Sequence, residues 1–383
     1  SPLYVDGRFG SFSTNRLDKK ELETLITNGI ESTRYLAVDE SRMLADPARY
    51  YKGGKPDLQL FDKKLYEVNP DDKVAIARAA AEEVLGKDER IISVDSSYSD
   101  GEGSSYRLIS NGFEGESKST WFSVSASVSI KGEGEARPQD YWYDSALFYD
   151  KLTKTGIGAK ALERVLRKLG QKKAKSGKYT MVVDPMNVGN LLSPMLSALY
   201  GSALQQKNSF LMDKLDAKVA SDLFTLRDEP HVIGANGSRY FDNEGVATEP
   251  RTVFDKGVLK TYFIDTYNGK KMNMAPTIST PSRLILVPGD KDLNGLVADV
   301  KQGILVTGFN GGNSNSSTGD FSYGIEGFLI EDGKLTQPVN EMNVTGNMVA
   351  LWNSLVAVGN DPQPNRSWQI PSLVFEGVDF SGL

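Results

Sequence analysis

His231 is the single imidazole in a chain of 383 residues that has no cysteine. Histidine moves protons readily near neutral pH and is the commonest metal ligand. Catalytic zinc sites draw two or three ligands from His, with Cys, Asp or Glu completing the set. A multi-histidine or histidine–cysteine centre therefore cannot be built from this chain alone. Disulfides and thiol nucleophiles are excluded with it. A Ser–His–Asp triad would have to use His231. It follows Pro230 in the charged run Arg227-Asp-Glu-Pro-His, which favours a structural or surface imidazole over a general base.

The remaining candidates for chemistry are oxygen donors and glycines. Gly308-Phe-Asn-Gly-Gly-Asn-Ser-Asn-Ser-Ser-Thr-Gly-Asp320 is the richest stretch. Gly and Asn allow positive φ and close backbone approach. Asn310, Gly311, Gly312, Asn313, Ser314 and Asp320 are thus peptide-contact candidates, on a loop whose backbone would lie against an extended ligand. A flexible surface connection is the competing reading. The Gly-Lys-Ser/Thr ending of a phosphate loop is missing. Hydroxyls from Ser314 to Thr318 with Asp320 offer a serine-type alternative, without a base close in sequence. Carboxylates fall in pairs near turns: Asp242 with Glu244, Asp320 with Glu326, Glu331 with Asp332. A glycosidase-like pair must lie about 5–10 Å apart in space, and solvated acids are the simpler reading. The aromatic run from Asp140 to Tyr149 has no interleaved base, unlike a nucleic-acid platform, and reads as core or interface.

Helical and strand periods define what must hold these residues. Residues 18–30 read as an amphipathic helix capped by Asp18, with Leu22, Leu25 and Ile26 as its apolar stripe. Asn69 caps a second helix, with Pro70 first and Asp71 and Asp72 at the positive end of the dipole. Its buried side would be Val74, Ile76, Ala77, Ala80, Val84 and Leu85, and Gly86 ends it. Residues 91–130 read as strands separated by Gly-rich turns. Within them Phe122, Val124, Ala126, Val128 and Ile130 alternate with serines, the pattern of a half-buried strand. A third helix spans about 157–169, and the basic stretch 171–178 reads as a solvated connector.

Residues 179–184 form a short apolar strand. An interior Pro costs about 3 kcal/mol in a helix, so Ser193 is expected to cap a new helix starting at Pro194. The segments Phe254-Asp-Lys-Gly-Val-Leu and Ile330-Glu-Asp-Gly-Lys-Leu read as hairpins. The expected fold class is α+β. An N-terminal α/β domain with a mixed sheet and helices covers residues 1–175. A C-terminal β-rich domain, barrel-like or a large antiparallel sheet, covers residues 176–383.

The net charge of −6 gives no pull toward nucleic acid or anionic membrane. No apolar run approaches the roughly 18–20 residues that span a bilayer. A cytoplasmic location is the expectation. The chain opens Ser-Pro-Leu-Tyr-Val-Asp without Met, and an initial segment is expected to be missing.

Three stretches, specific when taken together, carry a resemblance, and the first is Lys207-Asn-Ser-Phe-Leu-Met-Asp-Lys-Leu215.

 The second stretch in full is Tyr240-Phe-Asp-Asn-Glu-Gly-Val-Ala-Thr-Glu-Pro-Arg251, running on to Phe263. The third is Val356-Ala-Val-Gly-Asn-Asp361, preceded by the 330–339 hairpin. On these residues the chain resembles the TldD/PmbA family, once called modulators of DNA gyrase. Arg8-Phe-Gly-Ser and Asn69-Pro-Asp-Asp agree in order and character.

The resemblance implies one of two branches. The TldD-like branch is similar to zinc peptidases, with His-Glu-x-x-x-His on a helix: two His hold the metal and the Glu activates water. The PmbA-like branch, or TldE, lacks that motif and pairs with TldD in a proteolytic complex. Counted back from Ser209-Phe-Leu, the metal helix falls within residues 187–201. That window holds no His, no Glu and no charge, so the chain resembles the PmbA/TldE branch. Ile370 also stands where many relatives carry Cys. The resemblance implies a subunit with no cofactor or catalytic residue of its own, zinc in a TldD-like partner, and peptide or unfolded protein as substrate. A homodimeric peptide-binding or interaction protein is the alternative. No membrane or direct nucleic-acid contact is expected.

Overall fold

The computed structural model describes residues 2–383. Strands β1 (Pro2–Val5) and β2 (Arg8–Ser11) form an antiparallel hairpin, and helix α1 (Lys19–Thr33) packs on it. Asp18 accepts the Glu21 N–H at 3.0 Å, which satisfies one of the donors a helix start leaves free. Leu22 and Leu25 are half-buried, while Ile26 is exposed, because the small hairpin covers a narrow stripe.

Helix α2 (Pro70–Glu82) starts at its expected cap, with Asn69 Oδ1 accepting the Asp72 N–H at 2.9 Å. Ala80 and Val84 are buried and Ile76 packs beside them. Val74 and Leu85 are exposed instead. Val74 lies about 240° of helix rotation from Ala80, off the face that meets the sheet.

Strands β3 (Ile91–Ile109) and β4 (Phe113–Ile130) are 19 and 18 residues long. They pair antiparallel, and β5 (Gln139–Ala146) joins β4 antiparallel. Of the Gly-rich turns expected inside 91–130, the one at Asn111-Gly112 forms between β3 and β4, but Gly101, Gly103 and Gly115 lie within strands instead. A Cβ on Gly101 would meet the Trp121 indole at 3.0 Å, so this glycine makes room for a ring laid across the sheet. The 122–130 alternation holds, with its five apolar residues buried. On the outer face Ser97 and Ser125 hydroxyls bond across the strands at 2.9 Å. Helix α3 (Ile157–Leu166) covers the apolar face beside α2.

The rest of the chain runs β6 (Gly177–Val183), α4 (Gly189–Ser197), α5 (Gly201–Gln205), β7 (Leu226–Asp228), β8 (Arg251–Asp255), β9 (Val258–Leu259) and α6 (Thr266–Met272). It continues through β10 (Leu284–Leu286), α7 (Leu293–Ala298), β11 (Gln302–Ser314), β12 (Asp320–Glu331) and β13 (Lys334–Asn347). Helix α8 (Met348–Asn353), β14 (Leu355–Val358), β15 (Trp368–Gln369) and β16 (Leu373–Ser381) complete it. One sheet has the order β13-β12-β11-β6-β16-β14, and β13 also pairs with β16, closing a barrel. Its β6–β11 pair is parallel and its other pairs antiparallel. A second sheet has the order β15-β10-β7-β8-β9.

The period of two along β6 separates two cores. Met181 and Val183 join Leu191, Leu192, Met195 and Leu196 of α4 in the main core. Val182 faces the other way, toward Leu296 and Val297 of α7. Both expected hairpins form. Lys256 and Gly257 turn β8 into β9, and Asp332 and Gly333 turn β12 into β13, with positive φ at all four residues. That is the turn geometry matched to strand twist.

Pro194 lies inside α4 rather than at the start of a new helix. It removes only the bond that would reach the Asn190 carbonyl. Asn190 is exposed, so water can serve that oxygen, while the buried leucines hold the helix in place.

Candidate functional site

Helix α4 fills the centre of the window 187–201. Asp184 precedes it and is 5% exposed. Its Oδ1 accepts the Asn187 N–H at 3.0 Å and the Asn187 Nδ2–H at 2.7 Å. Burial pushes this carboxyl above its ordinary range, against the Asn187 bonds and the Arg164 charge. Leu191, Leu192, Met195 and Leu196 turn inward, and Asn190, Ser193 and Ser197 face outward. The outward face offers an amide and two hydroxyls. These neutral groups do not fit zinc, which takes thiolate, imidazole or carboxylate ligands. Among the described residues no three of His, Asp and Glu stand close enough to hold a metal ion.

The stretch 308–320 is corrected from a loop to the two arms of a β-hairpin. Asn310, Gly311, Gly312, Asn313 and Ser314 belong to β11, and Asp320 begins β12. A bulge between Phe309 and Gly312 leaves Asn310 and Gly311 outside the ladder. Gly312 has φ +96°, and a Cβ there would sit 2.1 Å from the Ser322 carbonyl oxygen, so only glycine fits. Asn310, Gly311, Gly312 and Asn313 are exposed, and Ser314 is half-buried.

The hairpin tip is anchored. Phe210 N–H donates to Ser316 O at 2.9 Å, and Ser317 Oγ donates to Asn208 Oδ1 at 2.7 Å. Ser209 Oγ in turn donates to Ala198 O at 2.6 Å, just beyond α4. At the other end of α4, Asn187 Nδ2 donates to Thr307 O of β11 at 2.8 Å. The structure thus brings the hairpin and the 187–201 window together along one flank.

Asp320 accepts from Asn347 Nδ2 at 2.9 Å and from Thr318 Oγ1 at 2.7 Å. Those bonds, Asn347 first, hold its carboxyl below the usual range. A carboxylate stabilised in its charged form is a poor proton acceptor, which removes the support for a serine-type role at this tip. His231 does not come to its aid. Thr248 Oγ1 spends its proton on Arg239 O, so it accepts from His231 Nε2 at 3.0 Å. Burial, with Lys55 nearby, lowers the imidazole pKa below its ordinary value. His231 is a neutral structural donor whose ring lies tilted against that of Tyr240.

The carboxylate pairs separate in the same way. Asp242 is buried and accepts backbone N–H groups from Glu244, Val246 and Ser279, which makes it a turn anchor. Glu244, raised by burial, accepts from Thr266 N and Oγ1 at 3.0 Å each. Glu326 bonds Lys168 at 2.7 Å, while Asp320 bonds at the hairpin tip. Glu331 and Asp332 stand exposed at the β12–β13 turn.

Sequence reasoning missed a cleft of about 560 Å³ between α3 and the barrel. Lys160, Arg164 and Arg167 line one side, with Trp142 of β5, and Asp184, Met186 and Leu293 line the other. The available signal was Arg164 in the last turn of α3 and Arg167 at its C-cap, three apart and therefore neighbours on its surface. Nothing local in sequence says that the barrel faces them.

Two family descriptions match this chain: PmbA/TldA metallopeptidase central domain over residues 63–169, and PmbA/TldA metallopeptidase C-terminal domain over residues 176–382. The metalloprotease PmbA homolog of Haemophilus influenzae is 28% identical, covering 99% of this chain and 84% of its own length. Metalloprotease PmbA of Escherichia coli O157:H7 is 26% identical with the same coverage. The crystal structure of a Bacteroides thetaiotaomicron protein, described as a modulator of DNA gyrase, superposes with TM-score 0.99 at 74% identity, covering all of this chain and 87% of its own. TldE from Thermococcus kodakarensis shares the fold, with TM-score 0.81 at 22% identity over 98% of this chain and 88% of its own. With the two domain matches spanning most of its length, the chain belongs to the PmbA/TldD family.

Proposed function

We propose that the chain is a PmbA/TldE-like subunit of a two-subunit, cytoplasmic metallopeptidase that acts on peptides or unfolded protein. The observation that carries this reading is the outward face of α4, where Asn190, Ser193 and Ser197 stand and no zinc ligand does. Alignment breadth supports the same branch. PmbA relatives align over 97–99% of the chain, whereas a TldD homolog of Buchnera aphidicola aligns over 52% of it at 26% identity. In this reading zinc and the water-activating Glu belong to a TldD-like partner. This chain contributes substrate-holding surface, with the exposed Asn310–Asn313 arm beside α4 as the leading candidate. Main-chain pairing along a strand suits sequence-tolerant capture.

The test mixes the purified chain with a TldD-like partner and follows cleavage of unfolded peptides. Cleavage is expected to require both chains, with metal in the partner. Equal cleavage by the partner alone would sink the subunit reading. Stoichiometric, tightly bound zinc in this chain alone would do the same. A homodimer that binds peptide and needs no partner is the competing outcome.

A further inference from the structure

The geometry points to the cleft between α3 and the barrel as a binding site for the C-terminal carboxylate of a peptide, held by Arg164 and Arg167. This assignment rests on the peptide-handling reading above and names a place and an end group for the substrate.

Arg164 sits deep, with its side chain 15% exposed, and Arg167 stands at the rim at 42%. Each guanidinium lies beside an aromatic ring: Arg164 is 5.5 Å from the Trp142 centroid and Arg167 is 4.7 Å from that of Phe328. Such contacts fix the plane of the cation without using its N–H donors. Arg164 Nε is 3.3 Å from Asp140 Oδ1, yet it is buried and makes no hydrogen bond. The carboxylate beside Arg167 is Glu163, at 3.9 Å. Arg164 and Arg167 both line one cleft, and among the described residues neither guanidinium donates a hydrogen bond to the protein; unmade bonds on a largely buried cation are unfavourable.

The internal anions do not complete the site. Asp140 is shared with Lys168, at 3.3 Å, and Lys168 also pairs with Glu326 at 2.7 Å. Asp140 and Glu326 thus serve Lys168 and Arg164, which leaves Arg167 with the 3.9 Å contact to Glu163 alone. Across the cleft, Asp361 is occupied by Ser372 N and Oγ and by Leu293 N. Asp292 caps Gly295, and burial favours the protonated form of Asp184.

The ligand class follows from the remaining wall. Met186, Leu293, Val297 and Leu335 give the cleft an apolar floor. An apolar side chain next to a planar carboxylate matches both halves, which is the chemistry of a peptide C-terminus. A free phosphate would leave the floor bare.

The test measures fluorescence anisotropy of an N-terminally labelled unfolded peptide ending in leucine, as the free acid and as the C-terminal amide, on the intact chain. The acid should bind at least about tenfold more tightly. Arg167→Gln should lower acid affinity about tenfold and leave the amide unchanged. Arg167→Lys should recover only part, because lysine has no planar fork. Arg167 is at the rim, so its variants keep the Arg164–Asp140 pair, and a thermal melt checks their folding.

Equal affinity for acid and amide, no saturable binding, or an unchanged ratio in Arg167→Gln would overturn the assignment. Displacement of the acid by equimolar inorganic phosphate would also overturn it. Loss of the acid–amide difference with partner-dependent cleavage intact would remove only this assignment. The reverse pattern would remove only the subunit reading.

Discussion

Burial favours the neutral form of both Asp184 and His231, raising the carboxyl's pKa and lowering the imidazole's. His231 becomes a fixed donor to Thr248. Asp184 becomes an acceptor for two Asn187 donors on a single oxygen. An asparagine oxygen at 184 could keep both bonds without a charge. A carboxyl whose folded-state pKa lies above its unfolded value, about 3.9, binds more protons in the native state. Its stabilising contribution is complete below that unfolded value. It is lost as pH rises through the folded value. Asp184→Asn is therefore expected to raise the melting temperature at pH 8 and to lose that advantage near pH 4. A thermal melt series across this range checks it. A variant less stable than the wild type at pH 8 would show that the charge is stabilised by its surroundings.

At the scale of elements, the start of α3 depends on a residue of another helix. Gly156 at its N-cap has no side chain to offer. Glu83, following α2, accepts from Gly156 N at 2.6 Å, Gly158 N at 2.8 Å and Ala159 N at 3.2 Å. A carboxylate there satisfies orphan donors and meets the positive end of the dipole. Glu83→Ala is expected to cost about 1–2 kcal/mol, read as a lower urea midpoint with an unchanged slope.

Local caps such as Asp18 and Asn69 were legible in sequence because cap and donor are three residues apart. The hairpin turns at Lys256-Gly257 and Asp332-Gly333 were legible because their signal is equally local. The Glu83 cap was not, because its acceptor and donors are more than 70 residues apart. Distance also explains the glycines. Gly101 reads as a turn until Trp121 is placed opposite it, and Gly312 reads as a loop until Ser322 is. Pro194 reads as a helix start until the core that holds α4 is known. The empty donor set of 187–201 was legible outright, since it depends on residue types alone. The arginine cleft was not, since it needs the barrel.

At the scale of the molecule, the central unit of α2, α3 and β3–β5 meets the barrel through a buried ionic node. Lys168 Nζ donates to Glu326 Oε1 of β12 at 2.7 Å and to the Gln139 carbonyl of β5 at 3.0 Å, and lies 3.3 Å from Asp140. Lys168, Asp140 and Glu326 are 12%, 6% and 16% exposed. Such a node earns little net stability when intact, because desolvation offsets attraction. Removing one partner is different, since the others keep their burial and lose their counter-charge. Lys168→Met should leave Glu326 without its cation and Asp140 with Arg164 alone, at a cost of about 3–5 kcal/mol. Urea unfolding measures it. Adding Glu326→Gln should recover part of that loss, because the stranded charge is then gone. Additive losses in the double variant would mean that the two side chains do not act as a pair. Recovery would identify the node as the coupling between the helix that carries Arg164 and Arg167 and the barrel that supplies the rest of their cleft.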